Sequence, residues 1–217
     1  MIYLNEQLRF LQFLQEGRGP IIDLFFRSLH FFDSTIYATA LSLFIWIVYS
    51  SRWGMRLGFL LIANGLTNHL VKGFFAYPRP QFFDASLPLV QVDGFSFPSG
   101  GAQMSILLAL VFVRFSKNRW AWPIAIFYTL LISFSRMFLG VHFPLDVLGG
   151  WVLGAIVFWV FIKSFRPIES FCKKDPKVAL GLSLGFMTGI ALIFPEPKVF
   201  FLMGIAALTA IGIKISS

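Results

Sequence analysis

The sequence predicts an all-α protein, a polytopic helical bundle built for a bilayer, and three observations carry that prediction. Of 217 residues, 57% are hydrophobic and only 13% are charged, about half the charged share of an ordinary soluble domain. Mean hydropathy is +0.77. Apolar runs recur near the roughly 17 to 25 residues that a helix needs to cross hydrocarbon, while the period-2 alternation of spanning strands is missing.

The elements follow in chain order. Residues 2–15, IYLNEQLRFLQFLQ, set apolar side chains at helical spacing around Glu6, Gln7 and Arg9, as in a helix lying on a membrane surface. GRGP then breaks the chain. The short apolar stretch 20–32 carries Asp23, Arg27 and His30, too polar for a span, so residues 1–34 are expected to be interfacial or re-entrant. About 7 transmembrane helices follow, at 35–50, 56–76, 100–115, 119–139, 145–164, 178–194 and 198–214. The core is expected in 35–165, with 178–214 a C-terminal pair free of motifs.

Charge placement orients the bundle. The net charge of +8 sits mostly in short loops: Arg52 with Arg56, then Arg114, Lys117 and Arg119, then Lys163, Arg166, Lys173, Lys174 and Lys177. Those loops fall on one side if every span crosses, and the positive-inside rule makes that side cytoplasmic. This distribution argues against a nucleic-acid partner. The segment 77–99 and the turn 140–144 then face the other side. Trp46, Trp53, Trp120, Trp122 and Trp151 lie near span ends, as interface anchors do. Cys172 is the single cysteine, which excludes a disulfide and a thiolate metal cluster. The N-terminus lacks the pattern of a cleavable signal.

Ionisable residues at membrane depth are costly and therefore informative. Lys72 ends an apolar span in NHLVKGFFAYPRP, and Arg79 follows between Pro78 and Pro80, which stop the helix. In GFSFPSGGAQMS, Ser99, Gly100 and Gly101 precede a hydrophobic helix. In SRMFLGVHFPLD, Arg136 ends one span, and His142 stands four residues before Asp146, with Pro144 suited to a first helical turn. A carboxylate at that spacing accepts the ring proton and leaves the other nitrogen free as a nucleophile or base. All three stretches fall on one face. Three cations, a hydroxyl and the amides of a helix N-terminus suit a phosphate.

These stretches resemble the three-part signature of the type 2 phosphatidic acid phosphatase superfamily, KxxxxxxRP, PSGH and SRxxxxxHxxxD. Here they read KGFFAYPRP (72–80), PSGG (98–101) and SRMFLGVHFPLD (135–146). The resemblance covers roughly 35–165. It implies that His142 is the nucleophile and Asp146 orients it. Lys72, Arg79, Arg136, Ser99 and the Gly100 amide would hold the phosphate. Water would cleave a phosphohistidine, with no cofactor and no metal.

Gly101 departs from the pattern, because the family has there a histidine that protonates the leaving oxygen. Of the other histidines, His69 lies one turn before Lys72 and can share its face; His30 is a candidate by availability alone. An alkoxide leaves poorly without a general acid, whereas a phosphate leaves readily, so Gly101 favours a lipid diphosphate such as undecaprenyl diphosphate. The resemblance therefore implies a lipid phosphatase acting on a lipid phosphate or diphosphate. The alternatives are a phosphatase-like protein that binds without turnover, a lipid-to-lipid phosphotransferase, and a form altered by removal of its acid. Its expected place is a bacterial inner membrane, the site facing the periplasm. Lipid access is expected to be lateral, past helix 2–15 and Phe82, Phe83 and Leu87, with Asp84 and Asp93 solvated.

Overall fold

The computed structural model describes residues 2–49, 51–116 and 118–174. The expected spans at 178–194 and 198–214 lie outside the described residues, as do Lys117 and Lys177. Every regular element among the described residues is a helix: α1 Ile2–Leu14, α2 Pro20–Leu29, α3 Thr35–Phe44, α4 Ser51–Phe75, α5 Gly100–Phe115, α6 Ala121–Phe138 and α7 Pro144–Lys174. A 3-10 turn, His30–Asp33, follows α2, a π turn, Ile45–Tyr49, follows α3, and a second 3-10 turn, Pro80–Phe82, lies beyond α4. The fold is the expected all-α membrane bundle. Ala121–Phe138 and Pro144–Ser164 are long and apolar enough to cross hydrocarbon, and α5 is a shorter apolar helix.

The chain divides into two units. One comprises Met1–Ala38 and Ala63–Phe158, and the other comprises Thr39–Ile62 and Trp159–Ser217. The second buries Leu57, Leu60 and Leu61 and sets the Arg56 guanidinium 4.7 Å from the Trp53 ring centre. The first holds every residue of interest for function.

Within the first unit, the outward faces of α6 and α7 are apolar. Trp122, Ile126 and Leu130 are exposed on α6, as are Leu145, Leu148, Val152 and Ile156 on α7. This spacing gives each helix one lipid-facing stripe. The inward face of α7 is glycine. A Cβ at Gly150 would fall 2.6 Å from the Ser99 carbonyl oxygen, and one at Gly154 would fall 2.5 Å from the Gln103 carbonyl oxygen. Small residues four apart let two backbones meet, so α7 lies directly on the start of α5. Trp151 serves packing as well as the interface, since its Nε1 donates to Ser133 Oγ on α6 at 2.8 Å.

The N-terminal helices are docked onto protein, beyond the surface placement expected for them. Leu11 is fully buried with Leu87 and Phe143, and Leu4, Leu8 and Met137 pack around them. Gln15 Nε2 donates to the carbonyls of Leu87 and Phe138, at 2.8 and 2.7 Å. From α2, Phe26 joins the cluster of Leu89, Phe138, Leu139 and Val141. Leu87 is 1% exposed, so it forms core and does not flank a lipid path, in contrast to exposed Phe82 and Phe83. Asp84 is half-buried and accepts from Gln12, Ser86 N and Ser86 Oγ. Those bonds hold its carboxyl below the usual value.

Candidate active site

The site is assembled from one helix end, two turns and two helix starts. Its geometry begins at Gly140, where α6 stops. Gly140 has φ +68, its N–H donates to Met137 O, and Val141 N–H donates to Arg136 O. That pair of bonds is a Schellman ending, which requires a left-handed residue. A Cβ at Gly140 would overlap the Leu87 carbonyl. The turn delivers His142 inward, 2% exposed.

Pro144 opens α7 and Asp146 lies in its first turn. The Asp146 carboxylate reaches back to accept from Phe143 N–H at 2.7 Å, half of a capping box. The same oxygen, Oδ2, accepts from Ser96 Oγ at 2.5 Å and lies 3.5 Å from His142 Nδ1. His142 Nε2 lies 3.3 Å from Arg79 Nη1. A guanidinium only donates, so Nε2 carries the lone pair and Nδ1 carries the proton, facing Asp146. His142 lies in the turn between α6 and α7, outside the spanning helices. Burial first, then Arg79 and Lys72, push its pKa down to about 4 against the bond to Asp146. The ring is therefore neutral and nucleophilic at physiological pH.

The cations are placed by backbone carbonyls. Lys72, in the last turn of α4, donates to the carbonyls of Phe95 and Ser96 at 2.6 and 3.0 Å. Arg79 is 3% exposed and donates to Gly94 O, Asp93 O and Val141 O. It thereby ties the loop before α5 to the turn carrying His142. Asp93 contributes its carbonyl to that tie. Ser99 is the N-cap of α5: its side chain accepts from Ala102 N–H, and its own N–H donates to Asp146 O at 2.9 Å. The Gly100 amide opens that helix.

Arg136 is fully buried and its partners were not legible in the sequence. Its Nη1 lies 2.8 Å from His30 Nδ1 and 3.1 Å from Asp33 Oδ2, while Nε and Nη2 both reach Ser135 Oγ. His30 and Asp33 bracket one 3-10 turn, where positions i and i+3 eclipse, so both side chains meet one guanidinium. The turn packs on α5 and α6. At Gly101 an added Cβ would stand 3.0 Å from Arg136 Cδ and 3.1 Å from Asp33 Cγ and Oδ1. The place of a side chain at 101 is thus filled by Asp33. His69 lies on α4 three residues before Lys72, half-buried; the imidazole against Arg136 is instead His30, which the sequence reading ranked below it.

A second group missed from sequence fixes α5 against α4. Gln103 is buried, receives Asn68 Nδ2 at 2.7 Å, and donates to Asn64 Oδ1 at 2.8 Å. Its signal was the run Asn64, Asn68 and Lys72, which places polar groups every fourth residue along one face of α4.

A sequence model described as the PAP2 superfamily matches residues 53–169. The chain is 38% identical over 77 residues to an undecaprenyl-diphosphatase of Sulfolobus acidocaldarius, spanning 35% of this chain and 37% of that one. It is 33% identical over 137 residues to phosphatidylglycerophosphatase B of Bacillus subtilis, 58% of this chain and 65% of that protein. The chain therefore spans less than two thirds of either relative. The crystal structure of Aquifex aeolicus LpxE superposes with a TM-score of 0.64 at 27% identity, covering 72% of this chain and 94% of that one.

Proposed function

From the premise that the chain belongs to the PAP2 superfamily, we propose that it is an integral membrane lipid phosphatase working through a phosphohistidine. His142 Nε2 attacks phosphorus, the bond to the leaving oxygen breaks, and water then cleaves the P–N bond. One observation carries the reading: the two nitrogens of His142 face opposite partners, Nδ1 toward Asp146 and Nε2 toward Arg79. The first partner fixes the tautomer. The second sets a fixed cation beside the attacking nitrogen, and fixed cations near the transferring group are the expected major source of rate.

Lys72, Arg79, Arg136, Ser99 and the Gly100 amide hold the phosphate in this account, and the chemistry is supplied by side chains without a metal or cofactor. The substrate is a lipid phosphate or diphosphate, and the lack of a proton donor at Gly101, taken alone, favours the diphosphate. If an acceptor lipid replaces water, the same intermediate makes the protein a phosphotransferase. The membrane is a bacterial inner membrane by the family resemblance, and the basic loops support an orientation with the site facing the periplasm.

The test is inorganic phosphate release in chelator-containing buffer from undecaprenyl diphosphate, phosphatidylglycerol phosphate, phosphatidic acid and a lipid A phosphate. Wild type should release phosphate from at least one, and His142→Ala from none. A second reading, binding without turnover, draws on Arg136, four of whose five N–H donors already face His30, Asp33 and Ser135. Silence of wild type on the whole panel, with retained lipid binding, would favour it.

A further inference from the structure

Cleaving an alkyl phosphate leaves an alkoxide, which needs a proton as the P–O bond breaks. The nucleophile pair cannot supply it: Nδ1 of His142 is committed to Asp146, and Nε2 forms the new bond. Gly101 has no proton to give. A second imidazole does touch a phosphate-binding cation: His30, 106 positions away from Arg136 in the chain. We propose that His30 is the leaving-group acid of this enzyme, held by Arg136 and Asp33, so that the turn His30–Asp33 does the work that position 101 cannot. This rests on the phosphatase reading above and extends it to lipid monophosphates.

The geometry fixes how the ring works. Arg136 Nη1 donates to Nδ1 in the empty site, so the resting ring is neutral with its proton on Nε2. A bound phosphate dianion draws the Arg136 donors to itself and adds negative charge beside the ring. Nδ1 then takes a proton from solvent, facing the Asp33 carboxylate that shares Nη1 with it. As His142 Nε2 bonds to phosphorus, the electron pair of the breaking P–O bond goes to the leaving oxygen, which takes the Nε2 proton of His30. In the second step the neutral His30 accepts a proton from the attacking water, and the P–N electron pair returns to His142. On release of phosphate, Nδ1 gives its proton back to solvent and accepts from Arg136 Nη1 again, so the ring ends neutral, as it began. Asp33 is a positioning residue: it lies beside Gly101, where an added Cβ would stand 3.1 Å from its carboxylate, so a side chain at 101 would press on it.

The experiment uses the full-length protein in detergent and two substrates that differ in leaving group, dioctanoyl phosphatidic acid and farnesyl diphosphate. The first expels an alkoxide and the second a phosphate. Wild type should turn over both. His30→Ala should lose about 10²–10⁴-fold in kcat on phosphatidic acid, the range of a lost general acid, and less than about tenfold on farnesyl diphosphate. His30→Asn, which keeps an acceptor for Arg136 but has no titrating proton, should show the same selective loss. A wild type active on the diphosphate but not on phosphatidic acid overturns the proposal and leaves the phosphatase reading standing. So does His30→Asn with equal loss, or no loss, on both substrates. A wild type inactive on every lipid phosphate overturns both.

Discussion

Asp146 has two tasks that cannot be separated by looking at its position alone. It caps α7 through Phe143 N–H, and it holds His142 Nδ1, with Ser96 as a further donor to the same oxygen. Asp146→Asn would keep the shape but offer an amide where the ring proton needs an acceptor. We expect kcat to fall by about 10²-fold or more, on the scale of a positioned acid–base group, with a change of less than tenfold in KM. Loss confined to KM would instead assign Asp146 to binding. Burial and the neighbouring cations hold the His142 pKa near 4, so the attacking form is already dominant well below the usual histidine range. The acid limb of kcat/KM due to the nucleophile should therefore lie well below pH 6.5, and a limb at the ordinary histidine value would show that solvent reaches the ring. The i, i+4 pair His142 and Asp146 was legible because one helical turn fixes it. His30 was not, because nothing local to a short polar stretch indicates a guanidinium that arrives from a helix more than a hundred residues later.

Glycine carries the element-scale argument. The Schellman turn at Gly140 aims His142, and the residue sits at φ +68 against the Leu87 carbonyl. Gly140→Ala forces a left-handed alanine, about 1–2 kcal/mol, and adds the overlap. It should lower the unfolding temperature in detergent and cut phosphate release at the same time. Stability unchanged from wild type would mean that the turn reshapes freely. Gln15 tests the docking of α1. Its amide is shared by two buried carbonyls, and Gln15→Ala leaves both without that donor, a cost of about 1–3 kcal/mol for each group left unsatisfied. A detergent melt should register the loss; a wild-type melt would show α1 to be a detached surface helix. Apolar run length marked the helices here, and the prolines and glycines marked their ends. The docking of α1 was hidden, since its amphipathic pattern serves a protein groove as well as a membrane surface. The face of α7 that meets α5 was hidden for a related reason: Gly150 and Gly154 act through what they lack.

At the scale of the molecule, charge and hydropathy named the solvent, and three short polar stretches named the chemistry. What they left out is the contribution of residues 1–34, which carry no part of the signature yet deliver His30, Asp33, Leu11 and Gln15 to the site and its supporting loops. The candidate site is thus split between a motif-bearing core and an N-terminal segment recognisable only by its contacts. Removing residues 1–34 should therefore abolish turnover of a lipid monophosphate, even where the membrane insertion of the remaining helices is preserved. Retained turnover would show that the core suffices.

The central claim is that His142 attacks phosphorus. Rapid quenching of wild type with a lipid substrate labelled at its terminal phosphate tests it directly. The account predicts an acid-labile, base-stable phosphoryl group on the protein that maps to His142 and is missing from His142→Ala. Steady phosphate release with no labelled protein at any quench time, or a label on another residue, would contradict it.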